Sequence, residues 1–235
     1  MSERQEFIPA YVIHTRPYRD TSVLVDFFTE TPGRLTAVAR GVRQAKSRTR
    51  GLLNPFSRVL ISLQGKGELK LLTTVESDSC FFSLQGAHLY SGFYINELLM
   101  RLLPEMDEYP GLYAAYEKTL TGLHQGQELE PLLRSFELEL LAEIGYGLDC
   151  EGTVDSGEAI DPESFYLCSQ GGFVRAQPWS RGEILPGWVI RAVARRDFSD
   201  PGVRGFAKHL CRSLLKPLLG SRPLHSRSLF PSASR

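Results

Sequence analysis

No segment of this chain approaches the ~18 consecutive apolar residues of a membrane-crossing helix. The amino-terminus, MSERQEF, is polar where a secretory leader would carry an apolar core. The sequence therefore predicts a cytoplasmic protein. Cysteine is scarce: Cys80, Cys150, Cys168 and Cys211, with no C-x-x-C pair among them, which predicts reduced thiols. Catalytic signatures are missing too. There is no G-x-x-x-x-G-K-[ST] phosphate loop, no G-x-S-x-G elbow and no H-E-x-x-H pair. Gly65-Lys66-Gly67 is too short to cradle a phosphate and reads as a hairpin turn. The five histidines (His14, His88, His124, His209, His225) are scattered. Glu137, Glu139 and Glu143 share one predicted helix, but Glu139 and Glu143 read as a solvated acidic face rather than the clustered carboxylates of a nuclease metal centre. No catalytic residue, no metal ligand and no cofactor is assigned.

Net charge is also absent, with 27 basic and 27 acidic residues, but the charge is sorted along the chain. Arg34 to Lys70 carries nine basic residues and one acidic residue, Glu68, a balance of +8. Phe81 to Glu183 carries seventeen acidic and five basic residues, a balance of −12. Ile184 to Arg235 carries ten basic and two acidic residues, again +8. Two basic blocks around an acidic middle predict a polyanionic partner, and nucleic acid is the obvious one, because neutralised phosphates release counterions.

The first eighty residues have β character. Ala10 to His14 is a short apolar run. Thr21 to Thr29 (TSVLVDFFT) alternates Val23, Val25 and Phe27 against Leu24, Asp26 and Phe28. Thr31-Pro32-Gly33 signals a turn, and Arg34 to Arg40 follows as its partner. Ser57 to Leu63 and Glu68 to Val75 form a second pair. Five short strands suit a small closed barrel, of OB or SH3-like type. Beyond Gly86 apolar residues recur at helical spacing: Leu89 to Leu103, Leu112 to Leu123, and Pro131 to Ile144, which predicts a bundle. Residues 148–178 are irregular apart from one hairpin (FYLCSQGGFVRA). Helical character returns at Glu183 to Arg195 and at Asp200 to Leu219, and the tail SRSLFPSASR is expected to fray.

The segment RGVRQAKSRTRGLLNPFSR (Arg40 to Arg58) is an arginine-rich connector between two strands, expected to be mobile. Guanidinium groups fork onto phosphate oxygens, and barrels of this kind bind single strands by pairing a basic groove with stacking rings. Tyr11, Tyr18, Phe27, Phe28 and Phe56 are the aromatic candidates, most of them core. A solvated surface turn is the plainer reading of such a run, but six cations without an acidic partner within it favour binding. On the last helix Arg204, Lys208, Arg212 and Lys216 stand four residues apart on one stripe. It would suit phosphate, an acidic peptide, or neutralisation by the acidic helices. An adaptor that binds an acidic peptide tail, with only incidental DNA contact, is the alternative to a DNA-binding function.

Five ordered blocks resemble the bacterial recombination mediator family RecO: HTRPYRDTSVLVDFFTETPGRLTAVARGVR, RGLLNPFSRVLISLQGKGELKLL, LYSGFYINELLMRLLPE, LLRSFELELLAEIGYGLD and LLKPLLGSRPLHSRSLF. The resemblance implies an α+β multidomain chain, with a five-stranded OB-fold barrel at 1–80 and an α-helical bundle domain at 81–147 and 179–235. Residues 148–178 would be a degenerate zinc-finger-like loop and hairpin insertion. It implies a non-enzymatic protein, associated with the nucleoid, that binds single- and double-stranded DNA and anneals complementary strands. It would load RecA onto DNA coated by single-strand-binding protein. The implied partners are RecR, RecA and the acidic C-terminal tail of single-strand-binding protein.

Carried over by position, the DNA-binding residues fall on Arg34, Arg40, Arg43, Lys46, Arg48, Arg50 and Lys66. An acidic tail ending in an apolar residue would need a cation beside an apolar groove, which points to Arg134, with Lys208 and Arg212 as alternatives. The family's four-cysteine zinc site is reduced here to Cys150 and Cys168, with Thr153 and Gly171 at the i+3 positions. Two thiolates do not close a tetrahedral zinc site, so a metal-free loop is expected.

Overall fold

Alternating apolar side chains roll the amino-terminal strands into a closed barrel. In the computed structural model, residues 4–67, 69–169 and 171–230 are described, without the side chains of Arg4, Gln5, Ser79 and Cys80. Glu68 and the tail residues 231–235 thus lie outside the described residues.

The strands are β1 (Arg4–Tyr18), β2 (Ser22–Thr29), β3 (Arg34–Ala39), β4 (Ser57–Gln64) and β5 (Lys70–Phe81), in the order β1-β2-β3-β5-β4. β1 is far longer than the short apolar run expected from sequence. Its first half pairs with β4 and its second half with β2, so one long strand closes the barrel. Pro9, Pro17 and the polar residues around them hide that length. The remaining closure is a parallel pairing of β3 with β5 at Ala37–Lys70 and Val38–Leu71. A parallel pair needs a crossover connection, and this one makes the barrel OB-like rather than an SH3-like meander.

Val25 and Phe27 of β2 point into the barrel with Ala10, Val12, Leu35, Ile61 and Leu63, all buried. The opposite face of β2 is not solvated. Phe28 meets Tyr113 and Tyr116 at ring-centroid distances of 5.6 and 5.7 Å. Those tyrosines belong to α2 (Pro110–His124), which follows α1 (Gly86–Leu102). Between helices and barrel sits one buried polar relay: Asn96 donates to the Ile13 carbonyl (2.8 Å) and accepts from the Tyr116 hydroxyl (2.7 Å).

The remaining elements are α3 (Leu129–Glu143), β6 (Phe165–Ser169), β7 (Gly172–Arg175), β8 (Ile184–Pro186), α4 (Gly187–Ala194) and α5 (Pro201–Leu219), ending in a 3-10 turn (His225–Leu229). The predicted hairpin is β6–β7. β8 joins it in the order β7-β6-β8 and takes residues that sequence periodicity assigned to a helix. Two compact units result: residues 1–127 with 222–235, and residues 128–221. The division by composition, at residue 80, separates strands from helices. The compact units instead group α1, α2 and the C-terminal turn with the barrel.

The described part of the tail, up to Phe230, departs from expectation: instead of fraying from Ser226, it docks on α1. Both Glu97 carboxylate oxygens accept from it, from the His225 amide (2.8 Å) and from the Ser226 amide and hydroxyl (2.9 and 2.7 Å). Phe230 lies edge-on to Tyr90 at 5.5 Å.

Candidate nucleic-acid interface

The connector between β3 and β4 is a succession of turns rather than a loose chain. Val42 and Leu53 are buried in the barrel core, and Phe56 is buried against Phe93 of α1 at a ring-centroid distance of 5.2 Å; together they pin the connector down. Its amides close short turns, Gln44 onto Gly41, Ser47 onto Gln44 and Leu52 onto Thr49, each at 3.1 Å. The Arg43 amide donates to the Thr21 carbonyl (2.9 Å) and its guanidinium to the Arg19 carbonyl (3.2 Å), which ties the connector to the β1–β2 turn. The sequence expectation of mobility missed these three apolar anchors, which stand among the arginines.

Pinning the apolar residues inward turns the cations outward. Arg40, Arg43, Lys46, Arg48, Arg50 and Lys66 are all exposed. Among the described residues, none of the six forms an ion pair with a carboxylate. Two open grooves lie on this face. One, of about 420 Å³, is lined by Arg16, Arg43, Arg50, Val42 and Leu53. The other, of about 440 Å³, is lined by Tyr18, Arg19, Arg40 and Lys70. Arg16 and Arg19 thus join the face, although sequence reading passed over them. They stand on the far side of β2, and only the doublet of arginines around a turn in RPYRD hints at them. Of the aromatic candidates, Tyr11, Phe27, Phe28 and Phe56 are buried. Tyr18 alone is partly exposed, with the Arg19 guanidinium over its ring at 5.2 Å.

Two arginines must be reassigned. Arg34, expected on this face, is 12 % exposed and donates to Glu105 (3.1 Å) and to the Leu103 carbonyl (2.9 Å). Its job is to fasten β3 to the α1–α2 connection. Arg58 is likewise taken up, by Asp78 (2.9 Å) and Glu117 (3.0 Å). Both belong to the basic stretch in sequence, but their partners come from the α1–α2 connection, from β5 and from α2.

A buried carboxylate underlies the face. Asp26 accepts from Thr36 (2.6 Å) and lies 3.3 Å from both His14 and Arg16. Burial alone would raise its carboxyl. The hydrogen bonds from His14 and Thr36 and the charge of Arg16 outweigh it and hold the group below its ordinary value.

The peptide-site residues fare differently. Arg134 is 9 % exposed and bonded at 2.6 Å to the still more buried Glu137, so it presents no cation to a groove. The acidic residue three positions on was the legible warning. Lys208 is bonded to Glu130 at 2.6 Å, and Arg204 to Glu128. That hydrogen bond from Lys208 lowers the Glu130 carboxyl. Arg212 and Lys216 remain exposed on α5. The stripe is therefore half neutralised by the acidic start of α3.

Within residues 148–178, Cys150 and Cys168 are free thiols, and burial pushes Cys150 up to about 11. Thr153 bonds to Ser156, and Gly171 lies at the hairpin tip. Among the described residues no group of three His, Cys, Asp or Glu is placed to hold a metal ion. None of the described helices is long and apolar enough to cross a membrane.

These features define a class: an OB-type barrel carrying a surface row of cations, joined to a helical region. Residues 1–81 match the family model for the recombination protein O N terminal, and residues 84–228 match that for its C terminal. The chain is 52 % identical over 233 residues to the DNA repair protein RecO of Cellvibrio japonicus, covering 98 % of this chain and 99 % of the relative. It is 41 % identical over 226 residues to that of Actinobacillus succinogenes, covering 96 % of this chain and 95 % of the relative. It is 42 % identical over 228 residues to that of Haemophilus influenzae strain 86-028NP, covering 97 % of this chain and 96 % of the relative. The chain belongs to the RecO family of DNA repair proteins.

Proposed function

We propose that this protein is a recombination mediator that binds single- and double-stranded DNA through Arg40, Arg43, Lys46, Arg48, Arg50 and Lys66, joined by Arg16 and Arg19. It anneals complementary strands and, with RecR, loads RecA onto DNA coated by single-strand-binding protein, in the cytoplasm. The observation that carries this reading is the row of six exposed cations, Arg40, Arg43, Lys46, Arg48, Arg50 and Lys66, with no carboxylate partner among the described residues. A charge already satisfied within the protein gains little from phosphate, whereas an unpaired one releases counterions when it binds. No bond is made or broken. Annealing requires only that two phosphate backbones be brought together with their repulsion reduced, and cations on a fixed surface do that.

The test is the salt dependence of binding to a labelled single strand. Replacing Arg40, Arg43, Arg48 and Arg50 together by alanine is expected to weaken binding and to reduce the log–log salt slope by about one unit per lost phosphate contact. An unchanged slope in that variant would remove these residues from the interface. Annealing of complementary oligonucleotides, with and without single-strand-binding protein, should fall in the same variant.

A further inference from the structure

Beside the basic face lies a third cavity, of about 530 Å³, between β1, α1 and the C-terminal turn. Ile13, Phe93, Met100 and Leu229 give it a largely apolar lining, and Arg16 and Arg222 line it too. We propose that this slot takes an unstacked base of single-stranded DNA, with a flanking phosphate at Arg16 and Arg222. The inference rests on the reading that the barrel face binds DNA, and adds to it a means of telling single strands from duplex.

Two features select a base over other occupants. The first is continuity. Arg16 lines both this slot and the 420 Å³ groove that holds Arg43 and Arg50. A sugar–phosphate chain laid along those arginines arrives at Arg16 with the slot next to it. The second is charge. Glu97 also lines the cavity, but its two oxygens are engaged by the His225 and Ser226 amides and the Ser226 hydroxyl. Burial by itself would raise the Glu97 carboxyl, yet those bonds keep it lowered and ionised in place. Its charge is thus directed into the C-terminal turn. Arg101 is similarly taken up by the Arg222 and Pro223 carbonyls (2.9 and 3.3 Å). Arg16 and Arg222 are both exposed; Asp26 holds Arg16 through one terminal nitrogen at 3.3 Å and His225 holds Arg222 through one at 3.2 Å, which orients both guanidinium groups and leaves their other nitrogens for a ligand. An apolar lining shared with two cations matches a flat base on an anionic backbone. A base held in a duplex stack cannot enter.

Leu229 is the residue to change, because it is 43 % exposed and its replacement leaves the core intact. Leu229→Trp fills the slot and Leu229→Glu places an anion in it. The full-length protein is titrated with a fluorescent thymidine 20-mer, an abasic 20-mer of equal charge, and a 20-base-pair duplex. The unsubstituted protein is expected to prefer the thymidine strand to the abasic one by about tenfold, the scale of one or two stacked bases. Both variants should reduce that preference to within about twofold, and Leu229→Trp should do so with duplex affinity and its salt slope unchanged.

Equal affinity for thymidine and abasic strands in an unsubstituted protein that still binds in a salt-dependent way overturns the slot and leaves the barrel face standing. Absence of all DNA binding overturns both. Retention of the full preference in both variants also overturns the slot. So does loss, in Leu229→Glu alone, of binding to an acidic peptide ending in Phe while the base preference persists, for the cavity is then a peptide site.

Discussion

Asp26 sits 1 % exposed beneath a surface made of arginine. A lone carboxylate so placed would be expensive; here His14, Arg16 and Thr36 converge on it. Thr36 also lies 2.8 Å from Glu105, so its one hydroxyl proton stands between two carboxylates. Asp26→Asn keeps the shape but removes the charge that orients Arg16 and His14. We expect a loss of about 2 kcal/mol at neutral pH, the scale of hydrogen bonds to a charged group. The sign of the pH dependence follows from the lowered carboxyl. Its contribution is present above the ordinary value near 3.8 and is lost as pH falls through the depressed folded value. Urea unfolding at pH 7, 5 and 3 should show the difference between the unsubstituted protein and the Asp26→Asn variant steady from 7 to 5 and shrinking toward 3. A difference that grows on acidification would mean that Asp26 is protonated in the folded protein.

At the scale of elements, the β2–β3 turn decides how the barrel meets its helices. Gly33 has φ +86, and a Cβ there would stand 1.7 Å from the Asp107 carbonyl oxygen. That obstacle is backbone, which cannot swing aside. Gly33→Ala therefore meets both the left-handed strain and the clash, and should cost more than the ~1 kcal/mol of the strain alone. Thermal unfolding of the variant measures it, and a loss of only ~1 kcal/mol would show that the α1–α2 connection yields freely and leaves the strain alone. The glycine is legible in sequence as part of Thr-Pro-Gly, but the carbonyl against it is not.

The same limit recurs elsewhere. Hydrophobic alternation reveals β2, and three- and four-residue spacing reveals α1, α2, α3 and α5, because each pattern is local. The parallel β3–β5 pair and three-residue β8 leave no local pattern, and their partners are distant in sequence. The connector's arginines are visible as a run of like charge. Which cations of the whole basic stretch face solvent is not, since Arg34 and Arg58 are claimed by Glu105, Asp78 and Glu117 from distant positions.

For the whole molecule, the consequential feature is that the barrel-bearing unit is discontinuous: residues 222–235 cluster with residues 1–127 although 128–221 intervene. The docked turn contributes the buried side chain of Leu224, two amides and a hydroxyl to Glu97, and two carbonyls to Arg101. Truncation after Ser221 removes all of these at once. Burial of one leucine contributes roughly 2 kcal/mol. Stranding Glu97 without its donors adds at least about 1 kcal/mol more, softened because the exposed carboxylate regains water. The truncated chain should therefore lose about 3 kcal/mol, and the loss should fall on one unit. Hydrogen exchange followed peptide by peptide separates the cases. Amides of α1 and of β1 are expected to exchange up to about a hundredfold faster, whereas those of α3, β6 and α5 keep their rates. Uniform acceleration across both sets would show that the two units unfold as one cooperative body. Acceleration confined to 128–221 would show that the tail stabilises the unit that precedes it in sequence rather than the barrel.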